Sequence, residues 1–240
     1  TALHTPWEYL TDSYWGPSRG NSLYRPLTVI AYALEWAVGK GSPLPFHLAN
    51  VLLYAVSSVA VLALLRQLLP KGAALVAALA WAAHPVHVEA VANVVGQSEM
   101  LTAVPMLLAV TLYIRDRRAG ALRTGTALLI ALCLACALVT KEHGIVLPAL
   151  LLMTEMVFRG KLFADAPAAG RSREWLLARL MLLEVVLYVI VRLSVLEGFA
   201  GDAPHPSLEG VPMGQRAWVM LALVPEYMRL FLWPVALYAD

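Results

Sequence analysis

Charge is scarce in this sequence. Only 14% of its 240 residues are Asp, Glu, Lys or Arg, and the formal net charge is +2. An average soluble domain is about a quarter charged. So small a balance gives no electrostatic case for nucleic-acid binding. Cysteine is nearly absent too, with one pair, Cys133-Leu-Ala-Cys136, inside an apolar run. In a soluble protein that spacing would suggest redox or metal chemistry. At membrane depth it reads as small packing residues. No strand-like alternation of apolar and polar residues is present, and no tandem repeat of the helical-solenoid type. A signal peptide is also missing. The chain starts at Thr1 without Met and ends at Asp240 after an apolar stretch, so a piece of a longer protein is expected.

What is abundant is apolar side chain. Hydrophobic residues make up 60% of the chain, and the mean hydropathy is +0.69. Several apolar runs approach the roughly 20 residues that a helix needs to cross a bilayer. They are 46–65, 72–83 (workable only if 68–71 join it), 100–114, 124–140, 144–158 and 175–196. A further stretch, 217–233, has no assigned placement. The run 27–38 is too short for a comfortable span, and reads as an interfacial or re-entrant helix. Residues 1–26 before it are rich in Trp, Tyr, Gly and Pro, the composition of an interfacial loop. The expected fold is all-α: a polytopic transmembrane helical bundle with a membrane-parallel or re-entrant helix near the N-terminus. One domain would comprise an outer loop with that helix (1–45), about six transmembrane helices (46–196), and an outer loop with a further apolar helix (197–240).

Basic residues orient the spans. If 27–38 does not cross, three connections fall on one side. They carry Arg66 and Lys71; Arg115, Arg117, Arg118 and Arg123; and Arg159, Lys161, Arg171 and Arg173. The opposite connections, 84–99, 141–143 and 197–214, hold Lys141 alone. The first side is therefore cytoplasmic and the second is the outer face.

The outer connections are poor in charge but rich in reactive side chains: His84, His87, Glu89, Gln97 and Glu99 in one, Lys141-Glu142-His143 in another. Arg25 precedes the short helix, and Arg192 lies near the outer end of 175–196. Ionisable groups at the membrane boundary cost several kcal/mol unless paired or hydrated, and commonly mark a site. Each also has an ordinary reading. Lys141 and Glu142 can form a plain interfacial pair, Arg192 can snorkel to headgroups, and His84 before Pro85 can cap a helix. His-x-x-His-x-Glu is not an established metal spacing, and a His-Glu-x-x-His helix is absent. A divalent metal is thus conceivable but not indicated, and no cofactor is assigned. Glu155 and Glu184 lie within spans and receive no role.

Several strings, in order and spacing, resemble one family: Thr11-Asp-Ser-Tyr-Trp-Gly16, Tyr24-Arg-Pro-Leu-Thr28, Phe46-His-Leu-Ala-Asn50, His84-Pro-Val-His-Val-Glu-Ala-Val91, Gly96-Gln-Ser-Glu-Met-Leu101 and Lys141-Glu-His-Gly144. Together they resemble the transmembrane and tetratricopeptide-repeat O-mannosyltransferases and their bacterial relatives, of the family C glycosyltransferase architecture. The resemblance covers residues 11 to about 160, and the C-terminal third matches loosely. It implies a large first outer loop with membrane-parallel helices. It also implies inverting transfer of a sugar, mannose in that family, from a polyprenyl (dolichyl) phosphate to a protein Ser or Thr hydroxyl. Such transfer would take place on the lumenal side of the endoplasmic reticulum or the periplasmic side of a bacterial inner membrane.

The chemistry needs cations for the departing phosphate and a carboxylate or imidazole for the hydroxyl. Arg25, Lys141 and Arg192 are expected to bind donor phosphate. His87, Glu89 and Glu142 are expected in positioning or acid–base roles, with Asp12, His84, Gln97 and Glu99 lining the site. The expected partners are the lipid-linked donor, a protein acceptor and membrane lipids. The pattern departs from the family twice. The acidic pair usual after the first transmembrane helix is absent before Thr11, and is expected upstream of Thr1. Gln97 stands where relatives often carry Arg. Any helical repeats would follow Asp240. A transporter or lipid flippase is the competing class, and a non-catalytic scaffold another. Polar groups at the outer ends of spans and the lack of a duplicated half favour the transferase.

Overall fold

A computed structural model describes residue 14 and residues 23–160, 163, 168–196 and 210–234. Asp12 and the aromatic string around it lie outside the described residues. Those described form nine α-helices: α1 (Pro26–Gly39), α2 (Leu44–Leu68), α3 (Lys71–Ala82), α4 (Val88–Ala92), α5 (Gln97–Arg118), α6 (Thr124–Thr140), α7 (Leu147–Phe158), α8 (Ala168–Leu196) and α9 (Met213–Leu232). Short 3-10 turns, Pro85–His87, Val94–Gly96 and Glu142–Val146, sit at the outer connections. There is no strand among the described residues, so the fold is all-α as expected.

Helix α1 opens on Pro26, whose missing N–H costs nothing at a first helical position. It closes on Lys40 in the left-handed conformation. Its 14 residues reach about 21 Å at 1.5 Å per residue, short of a hydrocarbon core of about 30 Å. Its side chains meet the outer ends of other helices instead. The Thr28 hydroxyl donates to the Thr140 carbonyl at 2.9 Å. Tyr32 donates to the Val94 carbonyl at 3.0 Å and packs on Phe46, ring centroids 6.1 Å apart. The helix therefore lies across the outer ends of α2, α5 and α6.

Two units are long and apolar enough to cross a membrane, α2 and the stretch Val94–Arg118 that ends in α5. A third counts if Lys71–Ala82 and Pro85–Ala92 are taken as one span bent by 48°. The bend has a local cause. Pro85 disfavours helical backbone at His84, which is extended (φ −70°, ψ 124°). At the other end Leu69 is extended as well, so residues 68–70 do not lengthen α3.

The centre of the bundle is α5 against α6, with α2 packed on α5 and α8 on α6. On α6 the residues Ala127, Ile130, Leu134, Ala137 and Leu138 are fully buried, one stripe at helical spacing. Cys133 is buried and both cysteines are free thiols, in keeping with a packing role. Leu52, Val56 and Val59 of α2 and Leu182, Val186 and Ile190 of α8 are exposed. Apolar surface on that scale belongs against lipid.

The ends of the bundle away from α1 are held by ions. Arg117, 1% exposed, donates to both Glu155 oxygens (2.9 and 2.8 Å). It also lies 3.3 Å from Glu174. The Tyr113 hydroxyl donates to Glu155 at 3.0 Å, and the Phe163 ring faces the guanidinium at 5.3 Å. One cation thus joins α5, α7 and α8. Removing one partner of a buried ion pair strands the others. Arg117→Met should lower stability by about 3–5 kcal/mol, and Arg229→Met on α9, where both Arg229 and its partner Glu226 are exposed, should cost much less. Thermal unfolding in detergent checks the difference.

Candidate functional site

Three of the expected residues meet at the outer face. Helix α6 ends at Thr140, and Lys141 is extended (φ −156°, ψ 144°) before the 3-10 turn Glu142–Val146. An extended residue sends neighbouring side chains opposite ways. Glu142 turns to one side and accepts from Arg25: 3.3 and 3.1 Å from Nε, 2.8 Å from Nη2. Arg192 Nη1 of α8 donates to the same carboxylate at 3.1 Å and lies 3.5 Å from the Tyr188 hydroxyl one turn back. Burial pushes the Glu142 carboxyl up, but Arg25, with Arg192, outweighs it and holds the group below its ordinary value. Two guanidiniums on one carboxylate leave the cluster with a net positive charge. The Arg25 guanidinium also faces the Tyr14 ring at 5.7 Å.

Gly144 makes the turn possible. A Cβ there would lie 2.6 Å from the Ala137 carbonyl carbon, so the chain folds back on the last turn of α6 only without a side chain. Gly96 has the same function in the other outer connection, where a Cβ would meet the Ala90 carbonyl oxygen at 2.5 Å.

Lys141 turns the other way, to Glu99. His143 Nε2 lies 3.7 Å from the second Glu99 oxygen. Burial lowers the His143 imidazole below its ordinary value, with Glu99 opposing. Lys141 and Glu99 form one wall of a recess of about 290 Å³, and Glu89, Asn93 and Gly96 line the rest. Asn50, buried in α2, donates to the Val91 and Asn93 carbonyls, both at 3.0 Å. That pins the loop carrying Glu89 from beneath.

The histidines take other partners. The Tyr54 hydroxyl donates to the Ala82 carbonyl at 2.8 Å and lies 2.9 Å from His87 Nδ1. A phenol has one proton, so His87 Nδ1 carries the hydrogen of the second bond. The His87 ring packs on Trp81, centroids 4.4 Å apart. Burial lowers the His87 pKa, His84 adds to the effect and the Trp81 carbonyl opposes it. His84 accepts from the Val86 N–H at 3.2 Å through Nδ1 and meets the Phe231 carbonyl at 2.9 Å through Nε2. These two rings thus organise the bent connection and the end of α9, apart from the arginine cluster. Gln97 is buried and its Nε2 donates to Glu35 of α1. No group of three or more His, Cys, Asp or Glu that could hold a metal occurs among the described residues.

Sequence reasoning missed Glu35, Asn50, Tyr54 and Tyr188. Two of them carried a signal: Glu35 is the one acid in the 27–38 run, and Asn50 is the one amide in the 46–65 run.

These features define a polytopic α-helical membrane protein with a paired polar site at one membrane face. The chain is 35% identical to protein O-mannosyl-transferase TMTC3 of Mus musculus over 56% of its own length, which is 15% of that protein. It is 39% identical to protein O-mannosyl-transferase Tmtc2 of Drosophila melanogaster over 59% of its length, 16% of that protein. With TMTC1 of Mus musculus the identity is 35% over 58% of the chain, again 16% of the relative. The matched part of the chain is similar to these TMTC protein O-mannosyl-transferases, and corresponds to less than a fifth of the length of these relatives. No family model and no solved structure matches.

Burial raises the Glu35 carboxyl and the Gln97 hydrogen bond opposes the rise. A carboxyl raised on folding stabilises the fold while protonated, and that stability is lost as pH climbs through the raised value. Melting temperature should therefore fall from mildly acidic to neutral pH. Glu35→Gln should flatten the fall, and so should Gln97→Arg, which supplies a counter-charge. Tryptophan fluorescence melts across pH check both. Gly144→Ala should destabilise by roughly 1–3 kcal/mol, since the clash is with backbone.

Proposed function

We propose that the full-length protein moves a sugar, mannose by analogy with its relatives' names, from a polyprenyl (dolichyl) phosphate to a protein Ser or Thr hydroxyl. The membrane face is the lumenal or periplasmic one. The relatives named above are animal proteins, which favours the endoplasmic reticulum. The observation that carries the reading is the convergence of Arg25 and Arg192, from opposite ends of the described chain, on Glu142.

A new bond forms between the acceptor oxygen and the anomeric carbon, and the bond from that carbon to the phosphate oxygen breaks. The electron pair leaves with the phosphate, and the hydroxyl proton goes to a base. Negative charge grows on the phosphate, so preformed cations stabilise the transition state more than the ground state. Guanidiniums suit this because their fork matches phosphate oxygens. Arg25 and Arg192 bind the phosphate, and Glu142 aims them. A carboxylate held down by two arginines is a weak base, so Glu142 is a positioning residue. His87, tied to Tyr54, orders the loop. Lys141, engaged by Glu99, flanks the phosphate from the recess side. The setting at the membrane boundary lets the prenyl tail stay in hydrocarbon.

In a transfer assay with the full-length protein and polyprenyl phosphate mannose, Arg25→Ala and Arg192→Ala should each cut turnover about 100-fold or more. Arg25→Lys should recover part of it, and melts should show the variants folded. Undiminished transfer by both alanine variants would remove the assignment.

A further inference from the structure

We propose that the recess walled by Glu89, Asn93, Glu99 and Lys141 is the subsite for the neutral, hydroxyl-bearing ring of the transferred sugar, with Glu89 as its specificity-determining acceptor. This rests on the transferase reading and assigns the donor's second half a place. Lys141 of the recess is the chain neighbour of Glu142 in the arginine cluster, and the two sites differ in sign. Arg25, Arg192 and Glu142 sum to one positive charge, whereas Glu89, Glu99 and Lys141 sum to one negative charge. A sugar phosphate has the complementary shape in charge, with an anion at one end and neutral hydroxyl donors at the other. The recess repels the phosphate and the arginines attract it, so the ligand can enter in one direction only.

Lys141, on extended backbone, is followed directly by Glu142 at the start of the 3-10 turn. One faces the recess and the other the arginines. Two larger cavities are mostly apolar, and the carboxylates at the edge of one, Glu155 and Glu174, are held by Arg117. A crevice of about 540 Å³ between α7 and α8 is walled mainly by Leu151, Leu152, Leu177 and Met181, and one of about 520 Å³ by Val61, Leu64, Leu107 and Val110.

Within the recess the hydrogen-bonding capacity is unspent. Glu89 is exposed and has no ion pair or hydrogen bond among the described residues, so both oxygens can accept from adjacent hydroxyls. The Asn93 oxygen is used, accepting from the Val95 N–H at 3.0 Å, which leaves its amide hydrogens to donate to a ring or hydroxyl oxygen. Glu99 is taken by Lys141 and sets the far wall. A site built to bond hydroxyls discriminates strongly, because its polar groups are stranded when the hydroxyls are missing.

The test uses full-length protein in nanodiscs and two lipids, polyprenyl phosphate mannose and sugar-free polyprenyl phosphate. Glu89→Gln keeps the shape and removes the charge. It should weaken the mannose-bearing lipid about tenfold and leave the sugar-free lipid within roughly twofold. Arg25→Ala should weaken both. Glu226→Gln, at an exposed position on α9, should change neither. Equal loss of both lipids in Glu89→Gln, or no loss, overturns the subsite and leaves the transferase reading standing. Wild-type protein that binds neither lipid overturns both. Competition on wild-type protein gives a second reading free of any variant: mannose 1-phosphate should displace bound lipid about tenfold better than inorganic phosphate. Equal displacement by the two counts against the recess.

Discussion

Glu142 is the point on which the outer face depends. Its carboxylate accepts from Arg25 ahead of α1 and from Arg192 on α8, while its backbone continues from α6. Three segments are thereby tied at one atom group. Without it two guanidiniums would face each other at the membrane boundary with nothing between them, an arrangement the low dielectric there does not tolerate. The tie needs Gly144, because the turn that presents Glu142 folds back against the backbone of α6. It needs α1 as well, which Thr28 fastens to the last carbonyl of α6.

The opposite face is built on the inverse arrangement. There one guanidinium, Arg117, serves two carboxylates, Glu155 and Glu174. Between these two ionic layers the bundle is mostly apolar, with Glu184 of α8 as an exception. The crevice between α7 and α8 meets the Arg117 network at one end, where Glu155 and Glu174 line it. Hydrocarbon offers no competing water, so ion pairs at the two ends hold helices that apolar contact alone would not register. The arginine cluster carries one positive charge more than its carboxylate balances, whereas Arg117 is matched by two carboxylates.

Much of this was legible in the residues. The 124–140 run is α6 residue for residue, and the short run 27–38 is a 14-residue helix across the outer ends. The motif strings marked the outer connections. Less legible was the bend at His84-Pro85, which depends on where helix α3 stops as well as on the proline. Partner choice was hidden altogether. Gln97 read as a lost cation, and its partner Glu35 lies in a run that seemed merely apolar. The histidines read as chemistry, and they order a loop through Tyr54, Trp81 and Phe231.

By itself the amino-acid order determined that the chain is helical, that it lives in a membrane, and which face carries the reactive groups. Each of these follows from local period, run length or loop charge, and a side chain cannot escape them. Only the tertiary structure decided that Lys141 goes to Glu99 while its neighbour Glu142 goes to Arg25 and Arg192. Both pairings satisfy the same charges, so electrostatics alone cannot choose. The choice is made by the extended backbone at Lys141 and the close approach at Gly144, which aim adjacent side chains to opposite sides.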